Sequence, residues 1–178
     1  SDNKWRLLNS FARLIEEVQP EIVSMENVPE VSTQDVFSHF QKTLENNKYH
    51  TQWKIVYCPD YGVPQSRKRL VLLASRFGNI QLIPPLYQPD NYLTVRDVIG
   101  KLPPIEAGQA DPNDPLHFAA RLSPINFLRI TQSVPEGSWR EWATELRLDC
   151  HKKYTGSTYP SVYGRMSWDK PAPTITTQ

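Results

Sequence analysis

The first group of residues that could do chemistry is a carboxylate and an amide at the end of a short apolar run. Glu26 and Asn27 directly follow Ile22–Met25, which lies between Pro20 and Pro29. A short apolar run bounded by prolines is typical of a strand buried inside a parallel sheet. Because open α/β sheets bind ligands where a strand gives way to a loop, Glu26 is a candidate general acid. An ordinary solvated glutamate at a strand end is the alternative.

A second group combines two guanidiniums with an amide in the segment Gly62–Arg69. In an extended chain, alternation would send Gln65, Arg67 and Arg69 to the same face of a strand. Guanidinium and amide groups on one face suit phosphate oxygens and the edges of bases. The alternative is a charged edge strand that discourages aggregation.

A third group lies in the string YGRMSWDKPAPTITT, which covers residues 163–177. Arg165 is near its start, and Pro171 and Pro173 bracket Ala172 in its second half. Two prolines so close together exclude a regular helix over this stretch. A structural loop is the ordinary interpretation of such a segment.

Two helices and a strand pair are predicted to position these groups. Helical spacing predicts a first helix with an apolar face made of Leu7, Leu8, Phe11, Leu14, Ile15 and Val18. Ser32 or Thr33 can cap a second helix. The apolar face of this second helix is made of Val36, Phe37, Phe40 and Leu44. Alternation in Trp53–Tyr57 and the apolar run Leu70–Ala74 predict an antiparallel strand pair.

The chain beyond Arg76 changes character, because most of its sixteen prolines lie there. Thr94 with Asp97 predicts a capping box. Ser123 followed by Pro124 predicts a capped helix with a proline in its first turn. The sequence therefore predicts an α/β fold class in which a regular first part is joined to a small irregular module.

The net charge is +1, but the charges are unevenly distributed, because two stretches contain no acidic residue: 61–89 and 150–168. Both hold several basic residues, so they are either solvated faces or contacts for phosphate. Cys58 and Cys150 lack the spacing of a disulfide framework. Metal binding is not expected, because the candidates fit no zinc pattern; these are His117, Cys150 and His151. Without a leader or a membrane span, an intracellular, cytoplasmic protein is expected.

Taken in order, the three groups resemble the motifs of DNA (cytosine-5) methyltransferases. The motifs are ENV after an apolar strand, Q-x-R-x-R after a Tyr-Gly turn, and R-M-x-W-x-x-P-A-P-T-I-T-T. The resemblance extends across essentially the whole chain. It implies the C-terminal half of a Rossmann-like S-adenosylmethionine-dependent methyltransferase sheet plus a small irregular target recognition domain. We expect a partial catalytic core over 1–77, the recognition domain over 78–159, and a truncated segment returning to the core over 160–178.

The resemblance also implies roles for individual residues. Glu26 would hydrogen-bond the flipped cytosine near N3, and Asn27 would brace the catalytic loop. Arg69 would contact the carbonyl oxygen of the base, while Arg67 would organise the pocket. Arg165 would support the recognition domain and contribute to DNA binding. Further DNA contacts are expected from Gln65, Arg140, Arg147, Lys152 and Lys153.

In the family's reaction, a cysteine thiolate adds to C6 of a flipped cytosine and S-adenosylmethionine gives its methyl group to C5. The family's thiolate lies in a Pro-Cys dipeptide before the ENV strand. Here Cys58 follows that strand, and Cys150 lies in the recognition region. The seven glycines form no Gly-rich turn after a first strand. We therefore expect the chain to lack both the nucleophile and the methyl-donor loop.

Double-stranded DNA is the expected partner, together with a missing half that supplies the nucleophile and the S-adenosylmethionine site. The chain would then be a truncated piece, a defective gene product or one subunit of a split enzyme from a restriction-modification system. A non-catalytic DNA-binding or regulatory module is the alternative. In each case the isolated chain is expected to be inactive.

Overall fold

The computed structural model describes residues 5–152 and 163–175 of the 178-residue chain. Its two compact units are Ser1–Asn91 and Tyr92–Gln178. The first unit carries a sheet and two long helices, and the second consists of short helices joined by irregular segments. This mixture of helices and strands confirms the predicted α/β class. The predicted domain boundaries at residues 77 and 159 stay predictions.

Helix α1 spans Arg6–Val18, as its apolar spacing predicts. It ends at Gln19, which adopts the left-handed conformation. The buried residues of α1 are Leu8 and Ile15. Three other members of the predicted apolar face are exposed, namely Leu7, Leu14 and Val18. Periodicity reveals the full width of an apolar stripe, but only tertiary neighbours decide how much of that stripe is covered.

Helix α2 spans Asp35–Asn46 and follows a 3-10 turn, Pro29–Thr33. The cap predicted at Ser32 or Thr33 is wrong, because Gln34 is the N-cap residue. The two hydroxyls instead donate to carbonyl groups inside the preceding turn, at 2.7 and 2.9 Å. The predicted apolar face is confirmed, since its members are buried or half-buried: Val36, Phe37, Phe40 and Leu44.

Three strands form the sheet: β1 (Ile22–Asn27), β2 (His50–Tyr57) and β3 (Lys68–Ser75). Their order is β1-β3-β2, and both outer strands run antiparallel to β3. The predicted antiparallel pair of β2 and β3 is confirmed. The central strand β3 therefore carries the end of the Q-x-R-x-R string and pairs with β1, which carries the start of the ENV string.

The predicted parallel environment of Ile22–Met25 is wrong for the part of the chain that the structure describes. There β1 lies at an edge of the sheet, and its neighbour β3 is antiparallel. Only Val23 and Met25 are buried in β1, so the strand has one covered face. A short apolar run does not by itself distinguish a strand covered on one face from one covered on both.

The core of the first unit fixes which way the strands face. Leu70, Leu72 and Ala74 of β3 are fully buried against the two helices and β1. Because side chains alternate along a strand, this burial turns Arg69 and Val71 to the opposite face of the sheet. The candidate site residues of β3 are thereby kept out of the core.

In the described part of the second unit there are three short α-helices: α3 (Val95–Ile99), α4 (Pro124–Gln132) and α5 (Asp149–Lys152). Both predicted helix starts are confirmed. Thr94 forms a capping box at α3. Ser123 caps α4, which has Pro124 in its first turn. Local capping chemistry therefore sets where these helices begin.

A buried tryptophan organises the second unit. Trp142 donates from Nε1 to the hydroxyl of Ser133 at 2.7 Å. Its ring lies 5.4 Å from that of Tyr163, measured between centroids. The polar atom of this buried ring is therefore satisfied. None of the helices in the described ranges is both long enough and apolar enough to cross a membrane.

Candidate active site

The structure joins the ENV glutamate to the last arginine of the Q-x-R-x-R string. Glu26 lies opposite Val71 in the β1–β3 ladder, so Arg69 is its diagonal neighbour on the same face. Arg69 Nε lies 2.5 Å from Glu26 Oε1. The arginine side chain is 18% exposed, whereas the glutamate side chain is 60% exposed. The pair therefore presents its carboxylate to a ligand and keeps its guanidinium partly shielded.

A backbone carbonyl also holds the arginine of this pair. Arg69 also donates from Nη1 to the carbonyl oxygen of Lys68 at 2.7 Å, so its guanidinium is held by two partners. Asn27 accepts a hydrogen bond from the N–H of Val28 at 2.8 Å, and this contact shapes the end of β1. The site is therefore preorganised at the junction between a strand and the following turn.

Gln65 and Arg67 do not lie on a strand face together with Arg69. Strand β3 begins at Lys68, so both residues lie in the segment that precedes it. The interpretation of the whole string as one alternating strand is wrong. The carbonyl of Arg67 accepts from the N–H of Cys58 at 2.8 Å, which closes the turn between β2 and β3. This contact continues the β2–β3 register one pair beyond Tyr57 and Lys68.

Cys58 is a neighbour of this site that sequence reasoning missed. Burial raises the pKa of its thiol, the charge of Arg69 partly offsets that effect, and the charge of Glu26 adds to it. A raised pKa keeps the thiol protonated at neutral pH, and the thiolate is the nucleophilic form. The proximity could have been inferred from the β2–β3 register, which pairs Tyr57 with Lys68.

The predicted DNA-binding cations of the second unit are partly engaged within that unit. Arg147 donates from Nε to the carbonyl of Trp142 at 3.1 Å and from Nη2 to that of Arg140 at 2.5 Å. The guanidinium of Arg140 lies over the ring of Trp139, at 5.7 Å from its centroid. Lys152 pairs with its close neighbour Asp149 at 3.2 Å. Arg140 and Lys152 are exposed, whereas Arg147 is half-buried.

Arg165 joins two segments of the second unit. Its Nη1 donates to the carbonyl of Ser133 at 2.9 Å. Its backbone exchanges hydrogen bonds with Glu136 and Gly137, at 3.1 and 3.0 Å. Together with Arg140 it lines a cleft of about 380 Å³, which also has glutamates in its wall. Lys153, the remaining predicted cation, lies outside the described residues.

Two ion pairs attach residues 163–175 to earlier parts of the same unit. Arg96 donates two hydrogen bonds to Asp169, at 2.7 and 3.2 Å. Lys170 lies 2.7 Å from Glu136. Hydrogen bonds from these cations hold the pKa values of both carboxyls below their ordinary range. All four side chains are exposed, so the pairs orient the segment more than they stabilise it.

The residues present do not form a cradle for S-adenosylmethionine. Such a cradle needs glycine backbone that leads from a strand directly into a helix. The described glycines with positive φ are Gly62, Gly78 and Gly108, and none directly precedes an α-helix. Within the ranges that the structure describes, no cluster of three potential metal ligands occurs either.

Comparison with known proteins supports the resemblance seen in the motifs. The family model for C-5 cytosine-specific DNA methylase matches residues 1–178. A type II methylase of Herpetosiphon aurantiacus, M.HgiDII, is 54% identical over 98% of this chain and 50% of its own length. The type II methyltransferase M1.BsuMI of Bacillus subtilis (strain 168) is 31% identical over 98% of this chain and 40% of its own length. The chain thus spans half or less of each relative.

Solved structures agree with the family model. A protein described as a DNA modification methyltransferase encoded within a prophage (E. coli) matches 62% of this chain, with 26% identity and a TM-score of 0.50. The match covers 33% of that protein. Because the family model extends over every residue and a relative shares more than half of the matched positions, this chain belongs to the C-5 cytosine-specific DNA methylase family.

Proposed function

We propose that this chain supplies the base pocket and the DNA-recognition part of a DNA cytosine-5 methyltransferase. The observation that carries the proposal is the ion pair between Glu26 and Arg69 at the end of β1. These are the two residues whose motif positions imply contact with cytosine, and they lie more than forty residues apart in the sequence. Their meeting on one face supports a single pocket.

The pocket would act on a cytosine taken out of the duplex, because the reacting ring atoms are inaccessible within the base stack. The exposed carboxyl of Glu26 would hydrogen-bond the ring near N3 and assist addition at C6. Arg69 would hold that carboxyl in place and donate to the base carbonyl oxygen. Such positioning by charge-assisted hydrogen bonds favours one orientation of the base.

The partner of this chain would be the part of the relatives that it does not match. That part would bring the attacking thiolate and bind S-adenosylmethionine. The described residues provide no cradle for the donor. The pKa of the Cys58 thiol is raised by burial, which disfavours its thiolate form. Double-stranded DNA would contact Gln65 in the first unit and Arg140 in the second. Arg147 and Arg165 would instead support the surface from within, since their guanidiniums already donate to backbone carbonyls.

A chimera tests the proposal directly. This chain would replace the matching half of the Herpetosiphon methylase, and tritium transfer from labelled S-adenosylmethionine to DNA would be measured. We expect cytosine-specific incorporation by the chimera. The matched control is the Herpetosiphon part alone. A folded chimera that binds DNA but transfers no methyl group would favour a non-catalytic DNA-binding module instead.

The isolated chain gives a second test. We expect neither binding of S-adenosylmethionine in calorimetry nor methylation of DNA, because the donor site and the nucleophile would come from the other part. The chimera serves as the positive control under the same conditions. Micromolar binding of the donor by the pure chain would contradict the proposed division of labour.

A further inference from the structure

Residues 82–87, called the strap, cross the turn between β2 and β3. The backbone N–H groups of Leu86 and Tyr87 both donate to the carbonyl oxygen of Asp60, at 2.8 and 3.0 Å. At its other end, the N–H of Leu82 donates to Gln52 Oε1 at 2.7 Å. The hydroxyl of Tyr61 adds a contact to the middle of the strap. The strap is thus tied both to the turn and to β2.

A glycine allows the strap to approach closely. Gly62 has a φ of +82°, a conformation that other residues rarely adopt. A Cβ atom at this position would lie 2.9 Å from Cε2 of Tyr87, well inside van der Waals contact. The ring of Tyr87 therefore rests against bare backbone, and both features require glycine here.

The turn beneath the strap leads directly to the base pocket. The N–H of Gly62 donates to the carbonyl of Pro59, and that of Val63 donates to the carbonyl of Cys58. Cys58 in turn donates its N–H to the carbonyl of Arg67. Arg69, the partner of Glu26, follows two residues later. A displacement of the turn would therefore move the start of β3 and the arginine that holds the carboxyl.

We propose that Tyr87 is a positioning residue for the base pocket, acting through its contact with Gly62. The inference rests on the proposed function, because it assigns Arg69 and Glu26 to the base. The ring sets the position of the turn, and the turn sets the orientation of Arg69. Displacements of about 1 Å at reacting groups can reduce rates up to about a hundredfold, so a contact outside the pocket can control turnover.

The test uses the chimera and compares Tyr87→Ala with Tyr87→Phe, which keeps the ring. We expect Tyr87→Ala to slow single-turnover methyl transfer by about tenfold or more, with DNA affinity within about threefold of the parent. Tyr87→Phe should retain the parental rate. Phe77→Ala is the matched control, since it removes an aromatic ring that is 73% exposed in the same unit.

The outcomes separate this inference from the proposed function. A parent chimera without methyl transfer would contradict the proposed function itself. An active parent whose Tyr87→Ala variant keeps the parental rate would overturn the role of Tyr87. Equal losses in Tyr87→Ala and Tyr87→Phe would also overturn it, because the ring would then not be the positioning group.

A second measurement remains informative if Tyr87→Ala folds poorly in the chimera. Amide hydrogen exchange of the isolated chain would follow the N–H groups of Gly62 and Val63, which bond within the turn. We expect faster exchange at both in Tyr87→Ala and unchanged exchange across α2. Unchanged exchange in the turn, or a uniform increase across the unit, would contradict a local positioning role.

Discussion

At the scale of single residues, the ion pair with Arg69 orients the carboxylate of Glu26. The guanidinium holds one carboxylate oxygen at 2.5 Å, while most of the glutamate side chain remains accessible. A charge-assisted hydrogen bond of this kind orients the acceptor without burying it. An isolated glutamate at a strand end would lack that orientation. The ligand-binding role of Glu26 stays a prediction, and this pair is the contact on which it rests.

The first prediction concerns the carboxyl itself. In the chimera, Glu26→Gln keeps the size and one acceptor oxygen but removes the negative charge. We expect single-turnover methyl transfer to slow by about a hundredfold or more, because a group that assists addition to the base is lost. DNA affinity should change by less than about threefold, since the carboxyl acts on the activated base. An unchanged single-turnover rate would remove Glu26 from the mechanism.

The second prediction concerns His151, whose ring stacks on Trp139 with centroids 4.2 Å apart. Its Nδ1 is buried and has no hydrogen-bond partner among the residues that the structure describes. Burial lowers the pKa of His151 below its ordinary value of 6.5, and the positive charge of Arg129 adds to the effect. The unfolded chain therefore binds a proton first as pH falls.

Because the folded state binds this proton more weakly, the free energy of unfolding falls as pH falls. The contribution of neutral His151 to stability is fully present above about pH 6.5 and is lost as pH falls through the lowered pKa of the folded state. We expect His151→Phe, which keeps the stacked ring, to lose less stability than the parent between pH 7.5 and 5. Urea unfolding at several pH values would measure the difference, and parallel curves for the two proteins would contradict it.

At the scale of elements, the second unit depends on a buried ring more than on its ion pairs. Trp142 is 1% exposed and makes a hydrogen bond through its indole N–H. The pairs of Arg96 with Asp169 and of Lys170 with Glu136 are exposed, and such pairs contribute about 0 to 1 kcal/mol each. The packing of the short helices around Trp142 therefore stabilises the unit more than these ion pairs do.

The third prediction follows from that comparison. Trp142→Ala should lower the free energy of unfolding of the second unit by about 3 to 5 kcal/mol, because a large buried side chain is replaced by a cavity. Trp168→Ala is the matched control, since Trp168 is exposed and should cost about 1 kcal/mol or less. Urea unfolding followed by circular dichroism would test this. Similar losses for the two variants would show that Trp142 is not the organising residue.

At the scale of the whole molecule, the two units suggest a division between chemistry and sequence recognition. Irregular segments carried on a regular scaffold commonly bear binding residues. The region from about residue 78 to 159 has this character, with most of its described backbone outside helices and strands. We infer that this region selects the DNA target while the first unit holds the base.

The fourth prediction is an exchange of the part of that region that lies in the second unit. Replacing residues 92–159 in the chimera, which leaves Tyr87 and the strap in place, with the matching segment of M1.BsuMI should move methylation to the target of the donor protein. Cytosine C5 should remain the modified atom, because the base pocket is unchanged. Each side chain that discriminates a base would contribute about 1 to 3 kcal/mol. Bisulfite sequencing of the modified DNA would report the site, and retention of the original target would place specificity elsewhere.

Some of this molecule is determined by the sequence alone. The spacing of apolar residues predicted α1 and α2, because helix periodicity is local. Capping chemistry located the starts of α3 and α4 for the same reason, since each cap involves residues three positions apart or fewer. Motif strings identified the family, because chemistry constrains residue types together with their order. The untested roles of the individual site residues remain predictions.

Other features were decided only by the tertiary structure. The antiparallel, edge position of β1 depends on its pairing with β3, almost fifty residues away, which a short apolar run does not encode. The diagonal meeting of Glu26 with Arg69 and the contact of Tyr87 with Gly62 depend on the same long-range register and turn geometry. The internal hydrogen bonds of Arg147 likewise became visible only in the tertiary structure, and its contact with DNA stays a prediction. Sequence patterns specify local periodicity, whereas pairing partners and available charges are selected by contacts between distant segments.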